Sequence, residues 1–289
     1  MSTSKDLIKA IKEKGKNIEA EMSFFDHLEV LRWHIIRSVI AIVVFALLSF
    51  SFYDFVFDDV IMGPKNLNFW TYRMMCKLGT LLNIDGFCVD RIPFNLINTN
   101  MAGQFMLKIN SCLLMAVAMG FPYLLFEIWL FVKPALTEIE KTSARGFVFY
   151  STVLFVIGAL FGYYIVVPLS VNFLSNVSLS EEIVNQITIE SYLTLVATLT
   201  LGCGIIFLLP IVIFVLSKLG LMTPAFMKAS RRYAIVIILI IAAIITPTAD
   251  VITLLTVSAP MFLLYELSII VSANVHKKNL QKEKEFYNK

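Results

Sequence analysis

Six stretches of this sequence are apolar over so many consecutive residues that a bilayer is the natural solvent for them: Ile35–Tyr53, Gln104–Val132, Phe147–Val167, Ser191–Ser217, Tyr233–Ile245 and Val251–Ser272. The hydrocarbon layer is about 30 Å thick and a helix needs roughly 20 apolar residues to cross it. Five of the six runs meet that length. The fifth in order, Tyr233–Ile245, reaches only about 20 Å at 1.5 Å per residue. It can cross where the bilayer thins locally, or it can form a re-entrant hairpin with the sixth run. Charged residues make up only 16% of the chain, against about a quarter in soluble domains. The expected fold class is therefore all-α: a polytopic integral membrane protein of six helices, the fifth short and the sixth open to the hairpin arrangement.

The cations fix an orientation. Of the 24 Lys and Arg, seven lie in the segment up to Arg37, three in the linker Lys133–Arg145, four in the linker Lys218–Arg232 and five after Val275. The linkers Pro168–Glu190 and Thr246–Asp250 hold none. Cytoplasmic loops are enriched in Lys and Arg, so both termini are expected in the cytoplasm, which six crossings allow. Residues 1–22 read as a Lys-rich cytoplasmic extension, because the apolar run after them is too long for a signal-peptide core. Its positive face can rest on anionic headgroups or stand solvated. Residues 23–272 read as one membrane domain and 273–289 as a charged cytoplasmic tail. Within the membrane domain, the external loop 54–103 is long enough to hold structure of its own, expected as short helices against the outer surface.

Pro122, Pro168, Pro210 and Pro260 fall in or at the ends of the runs. Each removes a backbone donor and tends to kink a helix, so a curved bundle with a concave face is expected. Cys112 and Cys203 lie inside runs and read as small packing residues. Cys76 and Cys88 share the external loop, where an oxidising compartment permits a disulfide, but nothing in the sequence sets their distance.

Counting crossings assigns the acidic residues to faces. Glu29 precedes the first run and Glu140 lies between the second and third, so both are expected at the cytoplasmic surface. Asp250 is expected outside, while Glu127 lies near the cytoplasmic end of the second run and Glu266 in the inner half of the sixth. Carboxylates at a membrane rim can take guanidinium groups in a planar two-point geometry that lysine does not match. The competing reading pairs Glu29 with Arg32 or Arg37 and Glu140 with Lys141 as solvated ion pairs of little consequence. No H-E-x-x-H or G-x-S-x-G motif occurs. Neither an enzymatic activity nor a cofactor, metal or nucleic-acid partner is expected. A secondary transporter of a small solute is the rival reading, although such carriers mark their paths with ionisable groups deep in their helices, and the middles of these runs are nearly free of charge.

Several segments resemble one family. F-F-D-H-L-E-V-L-R (Phe24–Arg32) and F-E-I-W-L-F-V-K-P-A-L-T-E-I-E-K (Phe126–Lys141) are similar to TatC, the multispanning receptor subunit of the twin-arginine translocase. So are G-A-L-F-G-Y-Y-I-V-V-P-L-S-V-N-F-L (Gly158–Leu174), F-L-L-P (Phe207–Pro210), I-T-P-T-A-D (Ile245–Asp250) and A-P-M-F-L-L-Y-E (Ala259–Glu266). The resemblance implies a cupped six-helix bundle in the bacterial cytoplasmic (inner) membrane. It implies that the amino-terminal segment and first cytoplasmic loop bind the paired arginines of export signals on folded cargo, with single-span TatA/TatB-type subunits and further copies of the chain as partners, powered by the proton-motive force. By alignment Glu140 falls on the signal-contacting loop glutamate, with Phe131, Pro134 and Lys141 in the same loop pattern. Leu31 and Arg32 belong to the amino-terminal motif, and Pro64 falls on an external-loop proline.

Two departures stand out. The family motif H-L-x-E-L-R has its glutamate where this chain has Val30, with Glu29 one residue earlier, about 100° around a helix. Leu208 stands where relatives place Glu or Gln to engage the single-span partner. Thr198, Thr200 and Cys203 are the nearby candidates for a polar contact in its place.

Overall fold

A computed structural model of the chain describes residues 24–82, 88, 94–132, 146–177, 186–218, 220, 222–246 and 250–287. The expected extension 1–22 and the linker 133–145 lie outside them. Helix α1 (Phe24–Ser51) leads to a π-helical segment Phe55–Ile61, then α2 (Trp70–Leu82), β1 (Asn95–Ile97) and α3 (Gly103–Val132). Next come α4 (Phe147–Phe161), a π turn at Gly162–Val166, α5 (Val167–Asn176), β2 (Gln186–Thr188), α6 (Ile189–Ile206) and α7 (Leu209–Lys218). The chain ends with α8 (Pro224–Ala229), α9 (Arg231–Ile245) and α10 (Val251–Tyr287).

Five helical stretches are long and apolar enough to cross a membrane: Leu28–Ser51, Gly103–Val132, Phe147–Asn176, Ile189–Ser217 and Val251–Lys277. The protein is a multi-pass membrane protein with apolar residues such as Val39, Ile40, Val43 and Leu47 of α1 facing outward. Helix α9 has 15 residues, about 22 Å, and is the short element expected from the sequence. Its start is tied to the middle of α10, where Arg231 donates to Glu266 at 2.7 Å. In the preceding turn Met227 is buried against Ile213 and Ile269 and its carbonyl accepts from the Tyr265 hydroxyl at 2.9 Å.

The third crossing runs nine residues beyond the expected end at Val167. Pro168 has no N–H for the carbonyl of Tyr164, yet the helix continues, because the π turn places Pro168 in the first turn of α5 and Thr71 donates its hydroxyl to the Tyr164 carbonyl. Pro210 acts differently: the fourth crossing breaks into a turn at Phe207–Leu208 between α6 and α7.

Crossings three and four approach closely through small residues. A Cβ on Gly162 would sit 2.6 Å from the Leu199 carbonyl oxygen, and one on Gly158 would sit 2.7 Å from that of Cys203. Gly204 reciprocates, facing the Phe155 ring at 2.6 Å. Without a hydrophobic drive between helices in lipid, such small-residue contact is what lets backbones pack.

The segment between α1 and α3, expected to be external, folds over one end of the bundle, its described residues largely as short helices. Its β1 pairs in parallel with β2 over Asn95↔Gln186, Leu96↔Ile187 and Ile97↔Thr188, a three-residue exception to the all-α expectation. This pairing puts the linker after α1 and the linker after α5 at the same end, as the charge pattern requires. Cys76 and Cys88, left open by the sequence, are joined in a disulfide.

Gly162→Val forces a branched side chain against backbone, and overpacking of this kind costs about 1–3 kcal/mol. It is expected to lower the Tm of the detergent-solubilised protein clearly, whereas Gly202→Ala, whose Cβ meets only Ile245 at 3.4 Å, leaves it unchanged. Equal Tm values for the two variants would contradict this packing.

Candidate functional site

At the end of the bundle opposite the strand pair, the first turns of α1 meet the last turns of α3. Glu29 and Arg32 are both exposed there, with Leu31 and Val30 half-buried. The two charges sit three residues apart on one helical face, yet among the described residues Glu29 forms an ion pair with neither Arg32 nor Arg37. The position where relatives carry glutamate is thus turned partly inward, and the glutamate of this chain points to the surroundings.

Just below lies a buried polar cluster. His34 Nδ1 meets Glu127 Oε2 at 2.5 Å, and the Tyr123 hydroxyl donates to Glu127 Oε1 at 2.6 Å. Glu127 is only 2% exposed, so each carboxylate oxygen needs a donor to offset lost hydration. The ring of Phe131 stands edge-on to His34, centroids 6.2 Å apart. Phe131 therefore covers the link between α1 and α3, immediately before the linker 133–145. The ends of that linker are drawn together by Trp129 stacked on Phe147, ring centroids 4.6 Å apart. Pro134, Glu140 and Lys141 fall in the linker, outside the described residues.

The remaining expected site residues are dispersed. Pro64 is buried at the other end of the bundle, its carbonyl accepting from the Tyr72 hydroxyl at 2.9 Å. That hydroxyl also reaches the Pro168 carbonyl at 3.2 Å, and burial pushes the Tyr72 phenol above its ordinary pKa, so it stays a donor at any physiological pH. Asp250 caps α10, accepting from the Thr253 N–H at 2.6 Å. Leu208 sits at the break in the fourth crossing, its carbonyl taking the amides of Ile211 and Val212. Thr198 lines a 550 Å³ groove with Phe94, Val171, Leu195 and Ile244, Thr200 is turned inward with its hydroxyl unpartnered, and Cys203 is buried as a free thiol. Leu208 and the three polar candidates thus share the fourth crossing without forming one polar site. Among the described residues, no group of three or more His, Cys, Asp or Glu could hold a metal ion.

This architecture has known counterparts. Residues 26–260 match the TatC family, the Sec-independent protein translocase protein. The chain belongs to the TatC family. It is 35% identical to the Sec-independent protein translocase protein TatC of Blattabacterium over 265 residues, covering 91% of this chain and 99% of that one. It is 32% identical to the TatC of Koribacter versatilis, covering 91% and 90%. Among solved structures it resembles the twin arginine translocase receptor TatC, with 29% identity, a TM-score of 0.62 and coverage of 86% of this chain and 99% of that one. The same receptor in DDM gives 30% identity, a TM-score of 0.65 and coverage of 85% and 99%. As a TatC family member, the protein is a component of the twin-arginine, Sec-independent protein translocation machinery.

The sequence alone did not reveal the His34–Glu127 contact. Tyr123 and Glu127 are four residues apart and so predictably adjacent on a helix, but His34 lies 93 residues from Glu127, and only the packing of α1 on α3 unites them. His34→Ala strands a buried carboxylate and is expected to cost on the order of 3 kcal/mol. Glu127→Gln keeps a partner for both His34 and Tyr123 and costs less. The double variant His34→Leu/Glu127→Leu removes the stranded charge and recovers most of the loss. Thermal unfolding in detergent measures all three, and additive losses in the double variant would disprove the pairing.

Proposed function

We propose that this TatC protein is the receptor for twin-arginine signal peptides, with six crossings and both termini in the cytoplasm of a bacterial cell, in the cytoplasmic membrane. The observation that carries the reading is the rim of α1 and α3, where Glu29 is exposed with no ion-pair partner among the described residues, at the end of the bundle where α3 runs into the linker that holds Glu140. Two arginines of a signal peptide dock on Glu140 and Glu29, where each planar guanidinium donates two hydrogen bonds to a carboxylate. Leu31, Pro134 and Lys141 complete the surface around them, and Arg32 balances its charge. The apolar part of the signal then enters along the concave side of the bundle, trading water for helix surface. Single-span TatA/TatB-type subunits and further copies of the chain assemble around the occupied receptor, and the proton-motive force drives transport with no covalent chemistry by this chain.

Partner contact in this reading runs along the fourth crossing. Leu208 supplies packing there instead of a carboxylate, and Thr198, open to the groove, supplies the polar contact. Thr200 and Cys203 support that face from within. The sequence resemblance, the family's role in Sec-independent translocation and the position of Glu29 all support this arrangement.

Binding of a labelled Arg-Arg signal peptide to the purified protein in nanodiscs tests the proposal. Losing a charge-assisted pair costs about 1.5–3 kcal/mol, so Glu140→Gln and Glu29→Ala are each expected to weaken binding by roughly tenfold or more. A Lys-Lys peptide is expected to bind as weakly as those variants. Equal affinity for Arg-Arg and Lys-Lys peptides would refute carboxylate recognition, and intact export by Glu140→Gln together with lost uptake of a small solute would favour a carrier.

A further inference from the structure

At the outer end of the bundle, α3 carries a cation where the surroundings turn apolar. Lys108 lies five residues past Gly103, roughly 7.5 Å into the crossing. Its ammonium sits over the rings of Phe50 and Tyr53, 4.5 and 4.7 Å from their centroids. Aromatic faces steady a cation but do not neutralise it. Among the described residues Lys108 has no carboxylate within ion-pair distance. The acids of the adjoining elements are otherwise placed: Asp54 and Asp58 are exposed beside Tyr53, and Glu190 accepts from the Asn100 amide at 3.0 Å. A charge inside the membrane boundary is costly until something compensates it.

Lys108 also stands at the edge of an open pocket of 550 Å³. Gln104 and Asn98 supply amides there, while Phe57, Leu107 and Ile189 supply an apolar wall. An unneutralised ammonium and two amides above apolar side chains, at interface depth, match one class of molecule: an amphiphile with an anionic head. We infer that this pocket binds an anionic phospholipid of the outer leaflet, its phosphate on Lys108 and an acyl chain against Phe57 and Leu107. The site lies at the opposite end of the bundle from the signal-binding rim; its assignment to the outer leaflet rests on the proposed orientation, and the lipid binding itself does not.

Native mass spectrometry of the full chain in dodecyl maltoside, titrated with phosphatidylglycerol, reads the binding directly. One tightly retained lipid is expected. Loss of one interfacial cation–lipid contact makes Lys108→Gln bind it roughly fivefold more weakly, whereas Lys108→Arg retains it. Lys65→Gln, which alters the cation over Phe94, leaves it unchanged. Gln104→Trp, which fills the pocket and keeps Lys108, gives a loss like that of Lys108→Gln and serves where the latter fails to accumulate. The inference is overturned if Lys108→Gln and Gln104→Trp both titrate like the wild type or if phosphatidylcholine is held as tightly. Displacement of the lipid by inorganic phosphate at equal concentration would overturn it too, by showing a free-phosphate site.

Discussion

Inside a bilayer a backbone carbonyl with no donor has no water to turn to, and this bundle is organised around supplying those donors. Prolines and π turns free carbonyls in places where an ordinary helix would not. Tyr164, orphaned by Pro168, is served by Thr71. Carbonyls of Val60 and Ile61, at the end of a π-helical segment, take the hydroxyls of Tyr163 and Tyr192 at 2.6 and 2.8 Å. Tyr72 bridges Pro64 and Pro168. Each of these contacts joins the external segment to a crossing or to itself, so the cap and the bundle satisfy one another. The cap is thus part of the fold's polar accounting rather than an appendage to it.

The same economy governs where the helices touch. Close approach of crossings three and four at Gly158, Gly162 and Gly204 brings Cys203, Leu199 and Phe155 into a dense seam. Helix α1, by contrast, presents most of its length outward and is held chiefly by α3. A long helix attached along one side is a reasonable frame for the rim proposed to take a ligand. The His34–Glu127–Tyr123 cluster fixes the two helices to each other near that rim.

Much of this was legible from residues alone. The lengths of the apolar runs gave five stretches that the structure has as helices long enough to cross, and the Lys and Arg distribution put the linkers after the first and third runs at one end, where Asn95–Ile97 pairs with Gln186–Thr188. Other features needed three dimensions. Pro168 looked like a helix end because a proline in sequence gives no hint of a Thr71 hydroxyl 93 residues away from Tyr164. The tie between α9 and α10 depends on Arg231 finding Glu266, which no local pattern encodes. The seam of crossings three and four did leave a trace in Gly158 and Gly162, four apart, a spacing that brings small residues to one helix face. At the rim, residue type pointed to Glu29 and Phe131, but burial was needed to separate exposed acids from enclosed ones.

That separation bears on how a receptor distinguishes arginine. Glu127 has both oxygens occupied, by His34 and Tyr123, and Glu266 is matched by Arg231, so neither can take a guanidinium without first giving up a partner. At Glu127 breaking the buried pair leaves a bare charge behind, a loss that one new contact does not recover, while Glu266 is half-exposed and held by Arg231 at smaller cost. Among the described residues Glu29 has no ion-pair partner, and it is exposed, which in the proposed reading leaves it to a planar, two-point donor. A carboxylate fixed on helical backbone favours a partner whose own donors are held in a plane over one that offers a single rotating ammonium. Selectivity in this reading comes from which acids the fold has already neutralised, as much as from the acid that it leaves free.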